Sequence, residues 1–277
     1  MTQVSAAQSQ KLLSERYRSN PPSLQTVNET IETLLNHRSV RAYSKQPLPP
    51  ETLETLVAAA QSAATSSNLQ VWSVVAVKDQ GRKDRLAALA GNQAHISECP
   101  LFLVWIADLS RLQTLGDKNQ KAYDGLNYFE MMMVATIDSA LAAQNAAVAA
   151  ESLGMGTVYI GGIRNKPEEV AKELGLPPRS FATFGMCVGY PDPAQPTGIK
   201  PRLPQASVLH HEQYDPTIHA KVIDGYNTSM NAFSTEQGMK TTHSWELQSL
   251  HRVRGPESLS GRDRLVTALN NLGFEMK

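Results

Sequence analysis

The stretch YFEMMMVATIDSALAAQNAAVAAESLGMGTVYIGG, Tyr128 to Gly162, decides the fold. From Tyr128 to Leu153 it runs through Met, Ala, Val and Leu with neither Gly nor Pro. It is apolar around most of a helical circumference, which predicts a long helix in the middle of the protein. Gly154 and Gly156 end that helix, and Thr157 to Ile160 reads as a short strand that closes on paired glycines. Outward from there, Pro167 to Leu174 carries Pro in its first turn and Gly175 at its end, the punctuation of another helix. Val71 to Val77, Leu101 to Ala107 and Phe181 to Val188 have the β-branched and aromatic content of buried strands. Arg82 to Ala90 is helical and stops at Gly91-Asn92. Asn28 caps a short helix with Ile31, Leu34 and Leu35 at helical spacing, ending near His37, and Leu53, Leu56, Val57, Ala60 and Ala64 mark a second amphipathic helix.

The ends are less regular. Residues 1–27 mix Gln, Ser and Arg and finish at Asn20-Pro21-Pro22-Ser23, so an appended arm without a core is expected there. Prolines from Pro191 to Pro204 predict an irregular segment, Pro216 to Met230 a helix, and residues 234–244 a mobile loop. Leu265, Leu269 and Leu272 give the tail, Arg262 to Phe274, a helical period.

Bulk chemistry narrows the partners. Lys plus Arg and Asp plus Glu both number 26, so no global field selects nucleic acid or acidic lipid, and any anion site is local. Cys99 and Cys187, the two cysteines, show no CxxC spacing, which argues against a disulfide framework and a zinc site and makes a reducing cytoplasm the default. No apolar run approaches the roughly 18 residues that a membrane span needs.

Four polar strings carry the chemistry: His37-Arg38-Ser39-Val40-Arg41, Ser66-Ser67-Asn68-Leu69-Gln70, Tyr159-Ile160-Gly161-Gly162 and Lys200-Pro201-Arg202. Guanidinium forks and hydroxyls suit a phosphate, amides suit the edge of a polar ring, and bare glycine backbone suits close approach to a flat ligand. Together they point to a phosphorylated heterocycle. Singly, each also reads as an ordinary surface feature: a solvated helix end, a helix-to-strand loop, a plain turn, a proline-stiffened loop. No GxGxxG follows a strand, and GxxxxGK[ST] and GxSxG are absent, so Rossmann, P-loop and nucleophile-elbow chemistry have no support. His210-His211 reads as solvated surface and Met131-Met132-Met133 as core.

Taken in order and spacing, HRSVR, SSNLQ, Gly91-Asn92-Gln93, AAQNAAVAAESLGMG, VYIGG and KPRLP resemble the nitroreductase family of FMN flavoproteins, in its oxygen-insensitive NADPH nitroreductase and flavin reductase branch. The similarity runs from about Asn28 to His211 and weakens beyond. The resemblance implies an α+β fold, with a mixed, mainly antiparallel central sheet flanked by helices, in an intertwined homodimer whose interface includes the Tyr128 to Leu153 helix. An arm at 1–27 would precede a flavin-binding domain at 28–277. It implies that His37, Arg38, Ser39 and Arg41 hold the FMN phosphate and pyrimidine side, with Lys200 and Arg202 completing the anion site. Ser66, Ser67 and Asn68, reaching across the dimer, would touch the ribityl phosphate, and Gln70 and Gln93 the isoalloxazine edge. Tyr159, Ile160, Gly161 and Gly162 would lie along one ring face. No side chain is expected to act as a catalytic nucleophile and no metal is expected, because flavin N5 carries the hydride.

The implied activity is two-electron, ping-pong reduction of nitroaromatics or quinones by NADPH or NADH. The implied acceptor is small, flat and aromatic, and neither nucleic acid nor membrane is a partner. Two alternatives are a flavin reductase that supplies free reduced FMN to a monooxygenase and a non-catalytic FMN-binding or sensing protein. One departure bears on the nicotinamide. Where the branch often carries arginines for the NADPH phosphate, this chain has Gly238-Met239-Lys240-Thr241-Thr242-His243, so Lys240, or else Arg252 and Arg254, takes that role and NADH use becomes an option.

Overall fold

A computed structural model describes residues 5–19, 21–240 and 243–277. In chain order the elements are α1 (Ala6–Tyr17), α2 (Glu29–Leu35), α3 (Thr52–Gln61), β1 (Trp72–Val77), α4 (Gln80–Leu89), α5 (Ala94–Glu98), β2 (Leu101–Asp108), α6 (Ser110–Asn119), α7 (Phe129–Ser152), β3 (Gly156–Ile160), α8 (Pro167–Leu174), β4 (Ser180–Gly189), α9 (Ile218–Glu236), α10 (Trp245–Arg252) and α11 (Leu265–Asn271). They divide between two compact units, Met1–Arg38 with Pro196–Ser258, and Ser39–Gln195 with Leu259–Lys277.

The second unit holds the sheet, ordered β1-β2-β4-β3, and its three strand pairings are antiparallel. The parallel component of the expected mixed sheet is a single bridge between Ser39 and Thr157. All eight residues of β2 are buried, because both faces are covered. Period-2 alternation sends Phe102, Val104 and Ile106 into one cluster with Leu86, Ile96 and Val170, and Leu101, Leu103 and Trp105 into another with Leu56, Ala60 and the alanines of α7. Ala142, Ala143, Ala146, Ala147 and Ala150 are buried, and side chains this small let α7 lie close to the sheet. Its opposite face is a different matter. Phe129, Met133, Ile137 and Leu141, four residues apart, are 50%, 43%, 51% and 45% exposed.

Between Trp105 and Ile106 the β2–β4 register shifts, leaving Thr183 as the extra residue of a bulge. Its hydroxyl donates to the Trp105 carbonyl at 2.9 Å and lies 3.1 Å from Ser139 Oγ, while its own carbonyl accepts from Arg164 Nη1. The bulge therefore sets the position of Arg164.

The first unit contains α1, α2, α9 and α10. Residues 6–17, expected to lack a core, instead form α1. Ser5 caps it by accepting the Gln8 N–H at 3.2 Å, and Leu12 and Leu13 are buried. The polar composition hid a helix seated by this adjacent leucine pair together with buried Ser9 and Arg16. Asn20, from the string read as the end of the arm, lies outside the described residues. The loop expected at 234–244 is narrower than the sequence suggested, since α9 continues to Glu236 and α10 begins at Trp245; positions 241 and 242 lie outside the described residues. Trp245 packs edge-on against Tyr226, with ring centroids 5.0 Å apart.

Candidate functional site

In the second unit, the first and third strings meet. Val40 is buried and its N–H donates to the Thr157 carbonyl at 2.9 Å, so the chain at Ser39–Arg41 runs alongside β3. The contact is tight: a Cβ on Gly156 would lie 2.4 Å from Val40 Cγ2. The anchored Val40 is flanked by Ser39, half-buried, and Arg41, exposed. Two residues beyond Thr157, Tyr159 projects to the surface, its ring edge-on to Phe184 at 5.3 Å. Partial burial, and then the Glu151 charge, push its phenol up from the ordinary range. Ile160 is buried in the core, which leaves only its backbone available to a ligand.

Gly161 and Gly162 open a 3-10 turn. A Cβ on Gly162 would meet the Ala90 carbonyl at 2.3 Å and Gln93 Nε2 at 2.4 Å, so that position excludes any side chain. Gln93 Nε2 itself donates to the Ala90 carbonyl at 2.8 Å, which holds the carboxamide against the turn. Beside Gly161 stand two cations. A Cβ there would be 3.4 Å from an Arg164 Nη and 3.7 Å from an Arg262 Nη. Burial, and then the Arg262 charge, lower the Arg164 pKa.

The second string forms a strained loop: Ser67, Asn68 and Gln70 have φ of 48°, 54° and 52°. Left-handed backbone at a non-glycine residue costs about 1–2 kcal/mol each, and such strain concentrates at ligand clamps. Asp138, buried in the centre of α7, accepts the Ser66 N–H at 3.1 Å, and its Oδ2 has no partner among the described residues. The loop borders a cleft of about 890 Å³ lined by Asn68, Gln70, Trp72, Ser73, Arg111 and Leu115. Arg111 fastens one wall by donating to the Gln70 carbonyl and to Ser73 Oγ.

In the first unit, the start of the first string meets the fourth. Arg16, on α1, donates from Nη2 to the carbonyls of Leu35 at 2.8 Å and His37 at 2.6 Å, and from Nη1 to that of Lys200 at 3.0 Å. Its own carbonyl accepts the Arg202 N–H at 2.8 Å. Arg38 is half-buried, its guanidinium turned back onto the Asn36 carbonyl and side chain at 3.1 and 2.9 Å. Lys200 and Arg202 are exposed at either side of buried Pro201, whose carbonyl accepts from the Tyr226 hydroxyl at 3.0 Å. Lys240 is exposed.

Arg16, Asp138, Arg164 and Arg262 were missed in the sequence. An ionisable residue in the middle of the Ala- and Met-rich helix was the one signal available for Asp138. Among the described residues no group of His, Cys, Asp and Glu is arranged to hold a metal, and no helix is long and apolar enough to cross a membrane.

The "Nitroreductase family" model matches residues 34–190, and "Nitroreductase family, C-terminal domain" matches residues 200–277. The FMN reductase (NADPH) of Bacillus subtilis (strain 168) is 43% identical over 208 residues, 75% of this chain and 81% of that protein. The NADPH-flavin oxidoreductase of Vibrio harveyi is 36% identical over 249 residues, 90% of this chain and 99% of that protein. The solved structure of NfrA1 nitroreductase from B. subtilis superposes with a TM-score of 0.82 at 37% identity, covering 89% of this chain and 99% of that one. With both of its segments matched and the antiparallel α+β sheet shared with solved relatives, this chain belongs to the nitroreductase family.

Proposed function

We propose that this protein is an FMN-dependent NAD(P)H oxidoreductase that reduces small, flat nitroaromatic or quinone acceptors and works as a homodimer. The observation that carries the reading is the Val40–Thr157 hydrogen bond. Through it, a hydroxyl and a guanidinium on Ser39 and Arg41 flank a residue paired to the strand that leads into a glycine turn excluding any side chain. This pairing supports a reading in which Ser39 and Arg41 serve the phosphate side and the glycine turn the ring side of one ligand.

The donor set fits FMN. For the phosphate the first unit offers His37, Arg38, Lys200 and Arg202, and the second offers Ser39 and Arg41, with Ser66, Ser67 and Asn68 on the strained loop. For the ring the second unit offers the carboxamides of Gln70 and Gln93 and the backbone from Tyr159 to Gly162. Bound FMN would supply the two-electron transfer between nicotinamide and acceptor. The chain's part is to bind, orient and bias charge: Arg41 favours negative charge developing at a ring beside it, and Gly162 lets the turn pack directly onto the Ala90 carbonyl and the Gln93 amide. Lys240 would act as a point charge toward the extra phosphate of NADPH, without the fork of an arginine. The exposed apolar stripe of α7 supports the homodimer.

A second reading, a flavin reductase releasing reduced FMN, is favoured by the naming of the B. subtilis and V. harveyi relatives for flavin reduction. Steady-state kinetics with a nitroaromatic, a quinone and free FMN as competing acceptors separate the two. Faster turnover of nitroaromatic or quinone supports the first, and turnover of free FMN far above both replaces it with the second.

A further inference from the structure

We propose that helix α1 is a clamp for the phosphate end of the cofactor, with Arg16 as its positioning residue; this rests on the FMN reading above. Helix α1 precedes residue 34, where the family match begins, so neither matched segment includes it. Yet Arg16 is only 7% exposed, and its one guanidinium joins the two cationic strings of the first unit. Leu35 is the last residue of α2, so its carbonyl is left over at the helix end, and His37 follows just past the cap residue Asn36. The third carbonyl belongs to Lys200, and the return bond from the Arg202 N–H makes the brace two-way.

The physical consequence concerns preorganisation. Strings bearing Arg38, Lys200 and Arg202 repel when brought together, and without a bound anion that repulsion tends to separate them. Hydrogen bonds from a buried fork to both backbones oppose the separation, so a phosphate dianion meets two strings whose backbones are already held together. A planar guanidinium with five donors can span three carbonyls, whereas an ammonium offers its donors from one point. Arg16 touches no phosphate in this account. It fixes the backbones from which the phosphate-binding side chains leave.

The test compares dissociation constants for FMN and for riboflavin, which has the ring without the phosphate, by quenching of flavin fluorescence on wild type, Arg16→Ala, Arg16→Lys and Arg18→Ala. Arg16→Ala is expected to weaken FMN about tenfold or more while leaving riboflavin unchanged. Arg16→Lys, which keeps the charge and loses the fork, should show the same selective loss to a smaller degree. Arg18→Ala, at the cap that follows the helix, should change neither. Unchanged FMN binding in Arg16→Ala, or equal weakening of both flavins, overturns the clamp, and full FMN affinity in Arg16→Lys assigns the effect to charge and overturns it too. If Arg16→Ala does not fold, Arg16→Lys is judged by the same FMN-to-riboflavin ratio. A wild type that binds neither flavin refutes the FMN reading itself, an outcome distinct from a failed clamp, where wild-type binding persists.

Discussion

At Gly162 the absence of a side chain is a packing requirement, because a methyl group would collide with the Ala90 backbone and the Gln93 amide. Gly162→Ala should therefore destabilise the fold by about 1–3 kcal/mol, the range for overpacking, and lower flavin affinity as the turn shifts. Thermal melts of the apoprotein and an FMN titration check both. Arg38 is the half-buried cation of the first string, and Arg38→Ala should weaken FMN by about 2 kcal/mol, the loss of one charge-assisted hydrogen bond, measured as the FMN dissociation constant. Such cations were candidates in the sequence because they sit in short polar strings with hydroxyls or a second cation. Arg16 and Asp138 were not, since their partners lie as far as 184 and 72 residues away. Nothing local distinguishes a bracing arginine from a solvated one.

Elements whose boundaries carry punctuation were read closely. Asn28 caps α2, Pro167 opens α8 and Gly175 closes it with φ 65°, as the sequence predicted. The four strands lie within a residue or two of their expected bounds, because β2, β3 and β4 are largely buried and the half-buried β1 is as rich in valine, so that apolar runs stand out between polar loops. Helices α1, α5, α6 and α10 escaped notice, as their apolar residues are few among polar ones. Helix α8 also carries a pH signal. Glu168 accepts from Arg264 at 2.9 and 2.6 Å and from Asn271 at 3.1 Å, and the Arg264 pairing holds its carboxyl at about 2 against an ordinary 4.5. A depressed carboxylate stabilises above its unfolded value, and that contribution fades as pH falls from about 4.5 toward about 2. Glu168→Gln should lower the melting temperature at neutral pH, less so in high salt because the pair is solvent-exposed, and the gap to wild type should close across that acid window. A constant gap from neutral pH to pH 2 would contradict the pairing.

For the molecule as a whole, the open question raised by the fold is what covers α7. Four large apolar side chains in line are a costly surface to leave in water, and the proposed homodimer would cover them. Ile137→Glu should convert a dimer to a monomer in sedimentation velocity, while a wild type already monomeric at micromolar concentration would remove the dimer from the account. The central claim concerns chemistry and is tested by one anaerobic titration. The purified protein, reconstituted with FMN and freed of excess, is followed by flavin absorbance as NADPH or NADH is added. The account predicts stoichiometric bound FMN whose absorbance bleaches with one equivalent of nicotinamide and returns on adding a nitroaromatic or a quinone. Protein that retains no FMN, or bound flavin that neither nicotinamide bleaches, would contradict it.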